Sequence, residues 1–431
     1  MLTRHTPLWS GASKVYHRPF GQPFSPVADR ATLQTMARSS ILISVYLPTS
    51  LLALGQGLLL ATLPLYASDF DVSYRLVSFV VAAAAIGTLV TDVPAGAALS
   101  KLGLRPAMIG GAALVATTTL ALAWTSSLPQ MIVLRLIAGI GTALWGLSRH
   151  AYIAEAVPVA ERGRTISIFG GINRIGVFGG PAIGGLIADS LGLKASFVLA
   201  GIAATSALVV SITWLRPVPT RGIAHSPRGR WSIVGHLIRL NGRDLAAASV
   251  AQTFGQMIRA GRFFIIPIYG ADVIGLDVAE IGLVMTVASL VDVAMFFPAG
   301  ILMDRFGRKV AAVPSFAVMG IGVGLIPLTH EFLTLMGAAV VIGFGNGLGS
   351  GTMMTLGADL APPGATGEFL GIWRLIGDSG AVAGPLIVGA MASEFGLRQS
   401  ALSLAVIGIA AAFTLAFLVR ETRATPVDSF A

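Results

Sequence analysis

Twelve long apolar runs dominate this sequence, and they decide its fold class. They lie near 41–67, 76–100, 106–125, 130–154, 165–188, 195–215, 245–270, 278–303, 310–329, 332–356, 367–391 and 400–419. Each is close to the roughly 20 residues that a helix needs to cross the hydrocarbon of a bilayer. Strands of a membrane barrel would alternate polar and apolar residues, and these runs do not. Of the 431 residues, 55% are hydrophobic and 11% charged. A soluble chain carries about 25% charged residues and needs polar surface to cover its core. The sequence therefore predicts an all-α, multi-pass membrane protein. Its 52 glycines suit close packing between membrane helices. It has no cysteine, which removes disulfides and thiolate metal sites.

Twelve spans put both termini on one side. Of the 29 Lys and Arg residues, 21 fall in the tails and loops of that side. Three, Arg75, Lys194 and Arg398, fall on the other side. The positive-inside rule then places both termini in the cytoplasm. The same distribution explains the net charge of +9 without a nucleic-acid partner, which would need a soluble basic face. Residues 1–40 are polar and basic and read as a disordered cytoplasmic tail. They hold no apolar core for a cleavable signal peptide. Met36 is an alternative start. Residues 41–215 and 245–419 form two six-helix bundles, and 420–431 a cytoplasmic tail. The linker 216–244 carries six arginines. The spacing of Trp231, Val234, Leu237, Ile238 and Leu240 predicts a short helix in it, lying on the inner membrane surface.

The two bundles repeat at an offset of 204. Pro94, Ala95 and Gly96 match Pro298, Ala299 and Gly300. Gly139 and Gly141 match Gly343 and Gly345, and Gly180 and Pro181 match Gly384 and Pro385. Gly192 and Leu193 match Gly396 and Leu397. Parallel repeats of this kind place a transporter's substrate site between the halves, near the membrane midplane. The glycine-rich stretch 343–351 has no preceding strand and aligns with the glycines of the fourth span, so it reads as helix packing rather than a nucleotide loop.

Four motifs resemble the major facilitator superfamily, over about residues 41–420. The turn after the eighth span carries Gly300, Asp304, Arg305, Gly307, Arg308 and Lys309 in the family's loop spacing. The turn after the second span is a degraded copy, with Gly96, Lys101, Gly103 and Arg105 but Ser100 where the family usually has Asp. The fourth span carries Arg135, Gly139 and Gly141, similar to the family's helix-4 arginine pattern. The fifth carries Gly176, Gly180, Pro181, Gly184 and Gly185, which resembles the motif of the antiporter, or export, branches. The resemblance implies alternating access, a functional monomer, and an interface where helix 2 faces helix 11 and helix 5 faces helix 8. In such a turn the Asp pairs with basic groups or a helix N-terminus, and the pairing breaks when the halves rock.

Ionisable groups inside a span are costly, and they face a cavity or a partner. This chain has Asp92, Arg135, Arg174, Arg259, Arg262, Asp292, Arg374 and Asp378. At ~1.5 Å per residue, Asp92 and Arg374 lie ~12 Å from the inner ends of their spans, and Asp292 and Arg174 ~15–17 Å. Asp92 to Asp292 and Arg174 to Arg374 are both steps of 200. We expect two pseudo-symmetric bridges, Asp92–Arg374 and Arg174–Asp292, closing the inner side when the cavity opens outward. Asp378 stands four residues after Arg374 and also pairs with it within one helix. Asp92 and Asp292 are the candidate proton carriers, and Arg149 with His150 could join the path. The first span offers no acid, since Asp69 and Asp71 sit at its outer end; many drug antiporters of the family carry one there. Arg135, Arg259 and Arg262 favour an anionic or zwitterionic substrate.

The leading expectation is a plasma-membrane (inner-membrane) secondary transporter exporting a small organic solute in exchange for protons, with no cofactor. An importer or facilitator of an organic anion is the first alternative. A receptor that binds without transporting is another. No nucleophile elbow, zinc helix or phosphate loop supports an enzyme.

Overall fold

The computed structural model describes residues 42–156, 159–217, 227–362 and 366–422, and no strand occurs among them. Twelve membrane-length helices make up this region. In the first half they are α1 (Leu47–Ser68, entered through a π turn at Leu42–Tyr46), α2 (Tyr74–Leu102), α3 (Leu104–Ala121), α4 (Leu128–Ala156), α5 (Val159–Leu191) and α6 (Leu193–Trp214). In the second they are α7 (Pro227–Tyr269), α8 (Val278–Phe306), α9 (Arg308–Leu325), α10, α11 (Thr366–Phe395) and α12 (Leu397–Phe417). Helix α10 comes in two pieces, α10a (Phe332–Leu348) and α10b (Thr352–Asp359). Ten of the twelve have the length and hydropathy of a membrane span. The others are α5, with an apolar stretch at Gly176–Leu191, and α7, diluted by Gln252, Gln256, Arg259 and Arg262.

The repeat in the sequence is a repeat in the backbone. Gly103 joins α2 to α3 as a single residue at φ +82°, and Gly307 joins α8 to α9 at φ +104°. With ψ near 160° this region is open essentially only to glycine. Gly192 and Gly396 repeat the device at φ +86° and +88°. A 3₁₀ turn ends α3 at Leu122–Trp124 and ends α9 at Ile326–Leu328. Helix pairing follows suit. α1 packs on α5 and α6, and α7 on α11 and α12; α4 packs on α2 and α3, and α10 on α8 and α9.

Close backbone approach sets these pairs. A Cβ on Gly139 of α4 would lie 2.1 Å from the carbonyl oxygen of Ala84 on α2. At the equivalent place in the second half, a Cβ on Gly343 would lie 2.1 Å from the Ala288 carbonyl oxygen. The halves meet along two seams, α2 against α11 and α5 against α8.

The linker helix is not a separate element, because α7 runs unbroken from Pro227 to Tyr269. Asn241-Gly242 is a weak stop without a proline behind it. The tenth span is not continuous: it breaks at Gly349–Gly351, where Gly351 takes φ +80°. The tail 1–40, residues 218–226 of the linker and most of the C-terminal tail lie outside the described residues.

Gly343→Ala is expected to cost about 1–3 kcal/mol, because a methyl group there overlaps backbone that cannot yield. Gly337, on the same helix, has open space around its Cα. Gly337→Ala is expected to be neutral or to stabilise by up to about 1 kcal/mol through helix propensity. Thermal unfolding of the two purified variants, side by side, checks this.

Candidate functional site

The site is built where the halves meet. The turns Gly103 and Gly307 define one face of the molecule, here the motif face, and Gly192 and Gly396 define the far face. The far face is closed along both seams. On one, the Arg75 guanidinium sits 2.7 Å from the Glu394 carboxylate, and the Arg75 backbone N–H donates to Ser393 Oγ at 2.8 Å. A Cβ on Gly389 of α11 would lie 2.3 Å from the Ser78 side chain of α2. On the other, the Ala182 N–H donates to Thr286 Oγ1 at 2.9 Å, and Gly282 packs on the Pro181 carbonyl.

Deeper in the α2/α11 seam lies an acidic cluster. Arg374 Nε is 3.9 Å from Asp92 Oδ2, across the halves, and 3.4 Å from Asp378 Oδ2, on its own helix. One guanidinium thus faces two alternative carboxylates. Arg149 and His150 of α4 feel the same guanidinium electrostatically.

The α5/α8 seam holds a basic cluster. Asp292 of α8 faces Arg174 of α5 at 4.0 Å and Arg262 of α7 at 3.8 Å. These distances exceed a hydrogen bond. The Asp292 carboxylate takes its hydrogen bond from Asn346 Nδ2 of α10a. Arg174 donates to Ser350 Oγ and lies 4.6 Å from the centre of the Phe296 ring. Arg259 donates to the Gly349 carbonyl at 3.0 Å, and Phe316 lies 5.0 Å from it. Both acceptors belong to the break in α10, which presents a backbone carbonyl and a side-chain hydroxyl inside the membrane. Among the described residues, three cations share one carboxylate.

Arg135 stands apart from both clusters. It lines a cavity of about 220 Å³ with Gln56, Thr88, Thr142 and the apolar side chains of Leu59, Leu60, Leu63 and Val81. Its Nε is buried without a hydrogen-bond partner. Phe263 of α7 also lines the cavity, and its ring lies 4.7 Å from Arg262. The expected grouping of Arg135 with Arg259 and Arg262 is therefore indirect, through Phe263.

Both expected bridges bring their partners within 4.0 Å. They do so with the far face closed, so the pairs are not reserved for a state open on that face. They are also out of phase with the repeat. At the offset of 204, Asp92 corresponds to Phe296, Asp292 to Thr88 and Arg174 to Asp378. A step of 200 is one helical turn short of that offset, so the resemblance between the two bridges is of depth only.

The motif-face turns differ between halves. Arg308 pairs with Asp359 at 2.9 Å and reaches the exposed Asp304 at 3.8 Å. The N-terminal N–H groups of α9, those of Arg308 and Lys309, donate to the Glu421 carboxylate, not to Asp304. Lys309 Nζ donates to the carbonyls of Ala416 and Val419 at the end of α12. Arg105, at the equivalent position of the first half, donates to the Ile212 carbonyl at 3.2 Å. Arg305 is exposed, and Gly300 has open space around it. Gly96 lies within α2. Gly180 and Gly184 press α5 onto Gly57 and Leu58 of α1. Glu421, Asn346 and Ser350 were missed in the sequence. A polar pair inside an apolar run at 346 and 350 was the available signal.

The Major Facilitator Superfamily profile matches residues 45–258 and again 245–430. The chain belongs to the major facilitator superfamily. It is a multi-pass membrane transporter and not an enzyme. An uncharacterized MFS-type transporter of Methanocaldococcus jannaschii is 21% identical over 370 residues, 85% of this chain and 95% of that protein. The class C tetracycline resistance protein of Escherichia coli is 24% identical over 376 residues, 83% of this chain and 90% of that protein. Among solved superfamily structures, a D-xylose-proton symporter superposes with a TM-score of 0.74 at 19% identity, covering 89% of this chain and 98% of its own. A bacterial homologue of the human lysosomal transporter Spinster, inward-facing and unoccupied, gives 0.73 at 16%, covering 90% and 99%. At these identities the structures show the shared fold.

Glu421→Ala removes a carboxylate from the N-terminus of α9, and a cap of this kind is worth about 0.5–2 kcal/mol. The variant is expected to unfold at a lower temperature than the parent, while Thr422→Ala shifts less; differential scanning fluorimetry in detergent checks both.

Proposed function

We propose that this protein is a proton-coupled exporter of a small organic solute, working by alternating access in the plasma membrane with its motif face and both termini in the cytoplasm. The observation that carries the reading is Arg374 with its two carboxylates. Asp92 offers it a partner across the seam, and Asp378 offers one on its own helix. With Asp92 charged, Arg374 ties the halves together. A proton on Asp92 cancels that attraction and leaves Arg374 to Asp378. Proton binding thereby changes the stability of the seam, which is what coupling requires. Protonation of Asp378 has the opposite effect, so the seam senses which acid holds the proton. Asp292 faces surplus cations and serves as their counter-ion.

Export is supported by the glycine and proline motif of α5 and by relatives named for drug resistance, the phenotype that outward movement of a compound gives. For an anionic solute the membrane potential adds to this, at about 2.3 kcal/mol per charge per 100 mV. Proton-linked import of an organic anion is the second reading, and the surplus of arginine around Asp292 favours it.

Transport in proteoliposomes of known orientation, against a panel of organic anions and cations, tests both readings. A pH difference of about one unit is worth up to about tenfold accumulation per proton carried. Asp92→Asn is expected to lose that accumulation while keeping solute exchange. Asp292→Asn is expected to keep it. Full coupling in Asp92→Asn contradicts the assignment, and accumulation on the acidic-outside gradient in the direction of entry selects import.

A further inference from the structure

We propose that the basic cluster of Arg174, Arg259 and Arg262 is the binding site for the anionic group of the transported solute, with Asp292 holding its place when the site is empty. This deepens the transport reading, and rests on it for the site's role as a solute site. The solute class is a small carboxylate or similar oxyanion with an apolar body.

Charge is the first argument. Among the described residues, three guanidinium groups converge with one carboxylate, and Asp292 is the acidic group that acts electrostatically on Arg259 and Arg262. Two positive charges are therefore left for an anion to balance. Cations inside the membrane persist where they meet a partner or a substrate path.

Hydrogen bonding is the second. Arg262 is 8% exposed, and its Nε has no hydrogen-bond partner. Arg174 Nη1, Arg259 Nε and Asp292 Oδ1 are also buried without one. Buried guanidinium N–H groups like these three normally find an acceptor, and a buried carboxylate oxygen such as Asp292 Oδ1 a donor. The Asp292 carboxylate is too far from either arginine, at 3.8 and 4.0 Å, to be that acceptor. An oxyanion entering the gap supplies two or three acceptor oxygens in the geometry guanidinium forks prefer. Asn346, Ser350 and Gly349 hold the surrounding groups through the break in α10.

Shape is the third. Phe263 lies between this cluster and the cavity that Arg135 lines. That cavity is largely apolar, at about 220 Å³. An anion seated on the cluster places a small hydrocarbon or aromatic body beside Phe263, in the space formed by Leu59, Leu60 and Leu63.

Equilibrium binding to the full-length purified protein tests this without any gradient, so that loss of coupling at Asp92 and loss of anion binding are read separately. The probes are benzoate, phenylacetate and hexanoate, each against its neutral amide, by isothermal titration calorimetry. At least one carboxylate is expected to bind about tenfold or more tighter than its amide, the value of a charge-assisted hydrogen bond. Asp292→Asn removes the competing carboxylate at constant shape and is expected to tighten that carboxylate several-fold. Arg262→Gln is expected to weaken it about tenfold or more, and Arg262→Lys to recover part of the loss. Folding of each variant is followed by its size-exclusion profile. Carboxylates that bind no better than their amides overturn the proposal. So does an Asp292→Asn variant that folds and binds them with parental affinity.

Discussion

A charge inside a bilayer must find a partner, and this protein satisfies that requirement mainly where its two halves meet. Among the described residues, two of the three ion pairs that link different helices inside the membrane, Asp92–Arg374 and Arg174–Asp292, join helices of different halves. The apolar helices around them are interchangeable by composition. The seams are not, because separating them leaves charges without counter-ions. Under the proposed function, the same electrostatic cost that makes these residues rare inside spans makes the relative position of the halves depend on whether they are charged, protonated or occupied.

The two seams divide the chemistry. On α2 and α11, two carboxylates share one guanidinium, an arrangement that a proton can redistribute. On α5, α7 and α8, three guanidinium groups share one carboxylate, an arrangement that an anion can enter. The repeat itself does not impose this split. Arg174 and Asp378 occupy equivalent positions with opposite charge, and Asp92 corresponds to Phe296, which instead lies against Arg174. The duplicated scaffold supplies two similar seams, and single substitutions give them opposite electrostatic character. The motif face is likewise unequal. Ser100 stands where the second half has Asp304, and Pro217 stands where it has Glu421.

Much of the fold was legible in the sequence because membrane-spanning helices and glycine turns leave local marks. Apolar length located the spans to within a few residues, except where α7 extends through the linker. The offset of 204 was readable since glycines at 103 and 307, and at 192 and 396, sit in conformations closed to other residues. The expected pairing of Asp92 with Arg374 came from depth along two helices that the family resemblance sets face to face. What depends on three-dimensional convergence was not legible. The break in α10 needs Gly351 in a left-handed conformation, while Gly343, Gly345 and Gly347 of the same stretch stay helical. Asn346 and Ser350 become site residues only when α10 lies against α8. Glu421 caps α9 from the far end of the chain, a contact that no local pattern announces.

The proposed alternating access requires the two faces of the α2/α11 seam to open in turn. The chain has no cysteine, so spin labels can be placed without removing native thiols. One pair at Arg75 and Glu394 reports the far face, and a second at Lys101 and Gly367 reports the motif face. Pulsed electron–electron resonance across a pH series in lipid nanodiscs measures both distances. Alternating access gives two discrete populations in which the far-face distance lengthens as the motif-face distance shortens. Distances that stay fixed, or that lengthen together, contradict it.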